Sequence, residues 1–530
     1  MNAPPTPPAP SPARPPPARG RRSPGVPRDG CRAGAAADAR AGRSGRSRSD
    51  LGCTRESQRR RGERRCVASG RCWRRNREAA PAEAPAPVRG RASGCADLAS
   101  ASRRRRPSRL RCSNRWMQPS GQSSEQSGEW SPPQPLGQVL SHYREGAADL
   151  NLGTGFFRPE SRPARDCSVL LAAWQRRQAP ERSLRWLDLM AGCGIRALRW
   201  GLEAALPSGG PLELWVNDAD ADRRALLHAN LARLHGGEGS PESLLVEQRS
   251  LPAEVLLRQA YLEQRHFDLI DLDAFGCPNS LLQATLQVLA FEGILLLAST
   301  DGRSPTGHDR SAAVRRFGAA ARAHPASWEI ALRLQLAALA REAWLLGRGL
   351  EPLLAFSDGR TFRLAVRLRQ RLDAGEEGQL GLLARCEACG AQASQPMLRL
   401  QGWPACACPA GAGRWAVSGP LWLGPLQQPA LLLALQQLGA GMEGSMAPAS
   451  ARLLARLAAD PGSPLLCWST AELARRLRLN GPPAVAGVVE ALRAQGHQAL
   501  ASGVMAGQLR TDAPYALLLQ SCRHLGREDR

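Results

Sequence analysis

Residues Asp271-Leu272-Asp273-Ala274-Phe275-Gly276-Cys277-Pro278 set two carboxylates, an aromatic ring and two turn formers directly on the apolar run of Phe267, Leu269, Ile270 and Leu272. An exocyclic amino group of a nucleobase is a weak nucleophile because its lone pair is delocalised into the ring. A protein that alkylates it must orient the N–H bonds, take up a proton as the new bond forms and exclude water. A carboxylate within hydrogen-bond reach does the first two. A neighbouring aromatic ring stacks on a base drawn out of its RNA. Asp273 and Phe275 suit these two roles, and Gly276 and Pro278 give a turn that lets a base come close. From these residues alone other readings stay open: Asp271 as a cap of the next helix, or both acids around a Mg²⁺ ion.

A second constellation lies upstream. Asp188-Leu189-Met190-Ala191-Gly192-Cys193-Gly194 closes one apolar run, and Asn217-Asp218, about 24 residues past Gly194, closes the next. Gly192 and Gly194 allow a tight turn and close backbone approach by a ligand. A carboxylate placed like Asp218 accepts both hydroxyls of a ribose. Gly192-x-Gly194-x-x-Ala197 also fits a dinucleotide fingerprint, which makes a nicotinamide enzyme the rival reading. Asp188, however, would repel a pyrophosphate while tolerating the cation of an amino-acid moiety. Asp-x-Asp-Ala-Phe is also a poor surface for hydride transfer. S-adenosylmethionine is therefore the favoured ligand.

Cys386-x2-Cys389 and Cys406-x-Cys408 form a third group, separated by 16 residues. Two close pairs across such a gap suit a tetrahedral, structural zinc site. Free thiols are the alternative. Nine of the 15 cysteines follow residue 116, which suits a reduced compartment better than a disulfide framework. No run reaches the roughly 18 apolar residues of a membrane span. The reading is a cytoplasmic protein.

The elements that must carry these residues alternate. Runs at 184–192, 212–218, 243–250, 266–276 and 293–302 read as strands, with helical segments at 195–206, 221–235 and 278–290 between them. Such alternation predicts an α/β fold with a doubly wound parallel sheet. Helix 326–347 and strand-like 350–369 complete a domain spanning 117–372, and 372–381 reads as a linker. Residues 373–530 read as a smaller domain holding the Cys cluster and helices. There Ser469-Thr470-Ala471-Glu472 fits a capping box, with Glu472 reaching back to the cap. Two helices about Asn480-Gly481-Pro482-Pro483 suggest a winged-helix-like unit.

Residues 1–116 hold 29 of the 71 basic residues against 8 of the 47 acids, leaving a net of only +3 on the remainder. The overall pI therefore says little about the folded part. This Arg/Pro-rich extension buries too little to offset chain entropy and is expected to be disordered, or not normally translated given Met117.

Over residues 150–420 the chain resembles the tRNA (guanine-26 N2)-dimethyltransferase family, especially its cyanobacterial and plant-like branch. The resemblance is carried by "GFFRPESRPARDCSV", "LDLMAGCGIRALRW", "LWVNDAD", "DLIDLDAFGCP", "LASTDGRSPTGHD" and "GPLWLGPL", with "LRTDAP" as a closing motif. It implies a class I methyltransferase fold, S-adenosylmethionine as methyl donor and tRNA as partner. By resemblance Arg165 and Arg196 contact the cofactor, Asp218 binds its ribose and Asp273 is the catalytic carboxylate. Ser250 stands where the family's adenine-binding acid falls and would accept a weaker hydrogen bond. Ala274 replaces a family proline, which would loosen the loop but keep carboxylate and ring. The family's second Cys pair is usually Cys-x2-Cys, so Cys406-x-Cys408 implies a strained zinc knuckle.

Overall fold

The computed structural model describes residues 142–206, 208–235, 243–406, 408, 413–442 and 444–528, all within one compact unit that spans 125–530. The Arg-rich segment 1–116 lies outside the described residues.

A short hairpin, β1 (Tyr143–Glu145) and β2 (Ala148–Leu150), precedes helix α1 (Arg162–Gln178). The alternating part then runs β3 (Leu184–Asp188), α2 (Ile195–Arg199, continued by a π turn at Trp200–Ala204), β4 (Leu212–Asn217), α3 (Arg224–Leu231), β5 (Leu244–Arg249), α4 (Ala253–Leu262), β6 (Phe267–Ala274), α5 (Leu282–Val288) and β7 (Leu289–Ser299). After α6 (Arg310–Phe317) and α7 (Ser327–Leu345), strands β8 (Gly349–Ser357) and β9 (Phe362–Arg369) return as a hairpin.

These strands form one seven-stranded sheet, ordered β5-β4-β3-β6-β7-β9-β8, in which β9 alone runs antiparallel to its parallel neighbours. Central strands covered on both faces must be apolar throughout, and Trp186, Leu187, Leu269, Ile270 and Leu272 are fully buried. The order reverses between β3 and β6, and ligands of open α/β sheets bind at such a point. Asp188 and Asp271 are register partners there. This is the expected doubly wound, class I methyltransferase sheet.

The remaining chain differs from its sequence reading. The segment at 372–381 is packed rather than a free tether: Glu376 is buried and accepts from Trp344 Nε1 (2.7 Å) and Leu350 N (2.8 Å). It leads into a three-stranded antiparallel sheet of β10 (Leu380–Cys386), β11 (Gln392–Pro396) and β12 (Trp415–Trp422). Helices α8 (Pro429–Ala440) and α9 (Pro448–Ala458) then fold back onto α1, where Leu432, Leu435, Leu454 and Leu457 share one core with Leu170 and Leu171.

A winged-helix-like unit closes the described chain: β13 (Cys467–Ser469), α10 (Thr470–Leu477), α11 (Val485–Ala494), β14 (Ala499–Ala501), β15 (Gln508–Thr511) and α12 (Tyr515–Glu528), with its own small core. Ser469 caps α10 by accepting the Glu472 N–H at 3.4 Å, as expected. The reciprocal half of the capping box is absent. Glu472 instead pairs with Arg385 and Arg476, because two guanidiniums outcompete one backbone N–H for a carboxylate. Among the described residues no helix is long and apolar enough to cross a membrane.

Candidate active site

Beyond the carboxyl ends of β3, β4 and β6 opens a cavity of about 440 Å³, lined by Gly192, Arg196, Asp218, Asp273, Phe275 and Arg165 among others. That volume lies in the range of small-molecule sites.

Its floor is the β3–α2 turn. Gly192 (φ +60°) and Gly194 (φ +81°) both adopt left-handed backbone. A Cβ added at Gly192 would meet nothing within 4 Å, so the space above it is open to the cavity; one at Gly194 would sit 3.0 Å from Leu227 Cδ2, so that glycine serves turn and helix packing. Asp218 accepts the Gly192 N–H at 2.8 Å and the Asp220 N–H at 3.0 Å, which fixes its carboxylate at the cavity rim. Arg165 is buried in a fork against Glu145 (Nη2–Oε2, 2.6 Å) and borders the cavity beneath Phe157. It is thus oriented by the N-terminal hairpin, an element its sequence context did not reveal.

Beside this turn is a cluster of three acids and two arginines, of which Asp273, Arg196 and Arg363 line the cavity. Arg196 Nε is 3.1 Å from Asp271 Oδ2 and its Nη2 is 2.5 Å from Asp273 Oδ2; Arg363 Nη1 reaches the same Asp273 oxygen at 3.4 Å. Asp188 is buried and its Oδ2 has no partner. Burial, then the neighbouring Asp271 carboxylate, pushes the Asp188 carboxyl up to about 7. Burial pushes Asp271 up to about 6, against Arg196. For Asp273 burial acts in the same direction, but Arg196 and Arg363 overcome it and hold the carboxyl well below the usual range. Asp273 is the acid that stays charged. Asp271 is a buried member of this cluster, not a helix cap.

These raised carboxyls carry a pH signature. In the folded state they hold protons that the unfolded chain has lost, so their contribution to stability is present below about pH 4 and lost as pH rises through 6 to 7. A cationic ligand placed above Asp188 would lower its pKa. Uptake of S-adenosylmethionine is therefore expected to release protons between about pH 6 and 7.5 and to tighten as pH rises. Calorimetry in buffers of different ionisation enthalpy would detect the release, and it should disappear in Asp188→Asn; buffer-independent heats would remove the ligand cation from Asp188.

The mouth is aromatic. Phe275 is 73% exposed and Phe156 60%, and their rings meet edge to face at 5.2 Å. Arg158 lies 4.8 Å over the Phe156 ring. Exposed phenyl rings cost hydration free energy unless something covers them, and this pair presents an uncovered apolar face at the cavity mouth. Phe156 lies in the stretch "GFFRPESRPARDCSV", ahead of the sheet, where no neighbouring residue marks it as part of a site. The β6 loop is not loosened by Ala274, which ends the strand buried and paired with Ser299. Gly276 N donates to Thr300 Oγ1 (2.6 Å) and Thr300 N to Gly276 O (2.9 Å), so the β7 loop anchors what proline would have stiffened.

Ser250 stands apart. Asn217 grips Leu251 with both ends of its amide (3.0 and 2.9 Å), and this turns Ser250 away to accept from Arg224 Nε at 3.5 Å over a separate open groove. It is not among the residues lining the main cavity.

Away from this cavity, Cys386, Cys389, Cys406 and Cys408 converge, with all four sulfurs within 4.8 Å of one another. Cys386 Sγ lies 3.6 Å from both Cys406 and Cys408 Sγ. Zinc–thiolate bonds of about 2.3 Å imply tetrahedral sulfur–sulfur edges of about 3.8 Å, so the donor set fits that ion. Burial raises the Cys386 thiol, but the N–H groups of Cys389 and Ala388 more than offset it and bring it down to about 6. The Cys-x-Cys spacing therefore does not keep the second pair from the site. The loop carrying the first pair packs on the winged-helix-like unit, where Tyr515 OH donates to Cys389 O (2.6 Å) and Arg476 Nη1 to Ala388 O (2.5 Å).

A tRNA (guanine(26)-N(2))-dimethyltransferase of Methanocorpusculum labreanum is 26% identical over 396 residues, covering 73% of this chain and 94% of that protein. One from Aeropyrum pernix is 29% identical over 381 residues, covering 70% and 89%. The fold matches that of Trm1 from Pyrococcus horikoshii, solved with S-adenosyl-L-methionine, with a TM-score of 0.60 at 24% identity over 72% of this chain and 99% of that one. The family model described as N2,N2-dimethylguanosine tRNA methyltransferase matches residues 150–523, which take in the sheet, the acid–arginine cluster, the Cys site and nearly all of the winged-helix-like unit, and to that family the chain belongs.

Proposed function

We propose that the chain is a tRNA methyltransferase that moves methyl groups from S-adenosylmethionine to the exocyclic N2 of guanine 26, giving N2-methyl- and N2,N2-dimethylguanosine. The observation that carries this reading is Asp273, held ionised by Arg196 and Arg363 and partly open to the same cavity that the exposed Phe275 and Phe156 line. Family membership decides against the nicotinamide alternative.

In this reading Gly192, Asp218, Arg165 and Arg196, which line the cavity, hold the cofactor's amino-acid and ribose parts, with Asp188 buried behind that lining; the fit is the open space over Gly192 and the one orphaned oxygen of Asp188. When bound, the cofactor would supply an electrophilic methyl on a sulfonium for the guanine N2 lone pair, the C–S electron pair staying with sulfur. Phe275 and Phe156 stack on the extruded guanine. Asp273 accepts an N2–H hydrogen bond, which turns the lone pair out of conjugation, and takes that proton as the nitrogen becomes cationic. A strongly ionised, weakly basic carboxylate suffices, since an alkylated aminium on a purine ring is a strong acid.

Residues 117–372 would carry the reaction and 373–530 would hold tRNA, in the cytoplasm where that substrate is found. The four cysteines would hold a structural Zn²⁺ that braces the winged-helix-like unit.

The direct test is methylation of an unmodified tRNA transcript with labelled S-adenosylmethionine, read by nucleoside mass spectrometry. N2-methylated guanosine is expected, and its absence when position 26 is not guanine. Product at another base or atom would overturn the reading.

Two further outcomes follow from the geometry. Phe275→Ala should lower kcat/KM for tRNA roughly tenfold to a hundredfold, since base–aromatic stacking contributes about 1–3 kcal/mol, while S-adenosylmethionine affinity stays within about threefold; an unchanged kcat/KM would dismiss stacking on this ring. The purified chain should carry about one zinc per molecule. Cys386→Ser should lose it and speed hydrogen exchange in α10 and α12, and exchange unchanged after metal loss would separate the site from that unit.

A further inference from the structure

Asp273 has two unequal oxygens. Arg196 and Arg363 both address Oδ2, at 2.5 and 3.4 Å, and among the described residues no donor engages Oδ1. The side chain keeps 26% of its surface exposed, on the cavity side, so Oδ1 is the atom offered to an incoming base.

The two arginines are also unequal. Arg196, on α2, is shared between Asp271 and Asp273, with Asp188 on β3 close enough to contribute. Arg363, on the antiparallel strand β9, has its one ion pair among the described residues with Asp273. Its side chain is 11% exposed, its Nε has no partner, and it lines the cavity. Cys167 of α1 also lies near Arg363, but burial pushes that thiol up to about 12 and it stays neutral. Asp273 is therefore faced by Asp271 on its own strand, Asp188 on β3, Arg196 on α2 and Arg363 on β9.

Arg363 is the second cation of this three-acid cluster. Three carboxyls in low dielectric cannot all ionise against one guanidinium. With Arg196 alone they would share its charge, and a proton would reside part of the time on Asp273.

We infer that Arg363 is a positioning residue for the reaction: it pins Oδ2, so that Oδ1 faces the guanine amine, and it keeps the cluster's negative charge on Asp273 rather than on Asp271 or Asp188. This rests on the methyltransferase reading above. The antiparallel strand of the sheet thereby gains a chemical role, since β9 is the element that brings a second cation to the end of β6.

The test uses the full chain with Arg363→Met and Arg363→Lys, measuring kcat and KM for tRNA and S-adenosylmethionine across pH, with calorimetric binding of S-adenosylhomocysteine and thermal melting alongside. For Arg363→Met, kcat should fall about tenfold to a hundredfold, as expected for a misplaced acceptor. Its acid limb should move to higher pH, and S-adenosylhomocysteine affinity should stay within about threefold. Arg363→Lys keeps the charge without the fork, so its acid limb should return toward that of the parent protein with part of the kcat. Should Arg363→Met not fold, Arg363→Lys decides: kcat lowered with an unmoved acid limb supports the assignment, and parental kcat overturns it. An unmoved acid limb in a folded Arg363→Met, or a loss confined to S-adenosylhomocysteine affinity, also overturns it. Failure of the parent protein to make N2-methylguanosine would instead remove the reading on which the inference rests.

Discussion

Asp273→Asn should reduce methyl transfer to tRNA by about a hundredfold to ten-thousandfold, the usual contribution of a positioned proton acceptor. The substitution is nearly isosteric, so the loss would be chemical. Arg196 and Arg363 both donate toward the Oδ2 position. They would hold the amide oxygen there and turn the amide NH₂ into the cavity. That group would then meet the N–H bonds of guanine N2, donor against donor, so orientation and proton uptake fail together. Arg196 keeps Asp271 as a partner, and cofactor affinity should stay within about threefold. Single-turnover methylation, with S-adenosylhomocysteine binding measured in parallel, separates these effects. A rate within tenfold of the parent protein would take Asp273 out of the proton path. The sign of the pH dependence follows from the same contacts. The folded-state pKa is depressed, so Asp273 is ionised above the ordinary carboxylate range and should not itself limit the rate between about pH 5 and 8.

Arg510→Met should destabilise the protein by about 3–5 kcal/mol, the cost of breaking a buried ion pair from one side. Arg510 is fully buried on β15, with Nε 2.6 Å from Asp460 Oδ1 and Nη1 2.5 Å from Glu329 Oε1. Glu329 also accepts from Arg333 Nε at 2.8 Å, and Arg333 donates to the carbonyls of Trp422, Gly424 and Gly462. One network thus ties the winged-helix-like unit to α7 and to the end of β12. Removing Arg510 leaves Asp460 with only backbone N–H partners and halves the compensation of Glu329. For Glu329 burial opposes ionisation, but Arg510 and Arg333 prevail and bring its pKa down to about 2. Its share of stability is therefore present above about pH 4.5 and lost as pH falls toward 2. Urea unfolding followed by tryptophan fluorescence should show the loss at pH 7. An early transition reported by Trp468, which stacks on Tyr515 at 4.8 Å, would show the winged-helix-like unit leaving first. A midpoint equal to that of the parent protein would mean that the network is not a tether. The closing "LRTDAP" motif thus carries, in its Arg510, the residue that docks one unit onto the other.

Much of the fold was legible because its signals are local. The strands of the parallel sheet are near-continuous apolar runs, and glycines at 192 and 194 must turn left-handed. The Cys pairs also found one another as their spacing suggested. Signals that depend on distant partners were not legible. β11 is short and polar and β10 and β12 are interrupted by Gly381 and by Gly419-Pro420, so none shows a clean alternation, and the segment from 372 to 381 looks like a tether until Trp344 and Leu350 are seen holding Glu376. Helices α8 and α9 read as part of a separate domain, yet their leucines complete the core against α1.

The same division runs through the site. Which residues stand at the ends of β3, β4 and β6 is written in the chain order, because strand ends and glycine turns follow from neighbours along the backbone. Asp188, Asp218, Asp273 and Phe275 could therefore be nominated before any contact was known. Which acid stays ionised is a property of the folded molecule, because charge in a buried cluster depends on every group within a few ångströms. Arg363 arrives there from a strand 90 residues beyond Asp273, and Phe156 joins the mouth from a loop ahead of the sheet. Ser250 turns away for the same kind of reason: the Asn217 amide, far back in the chain, takes hold of its neighbour.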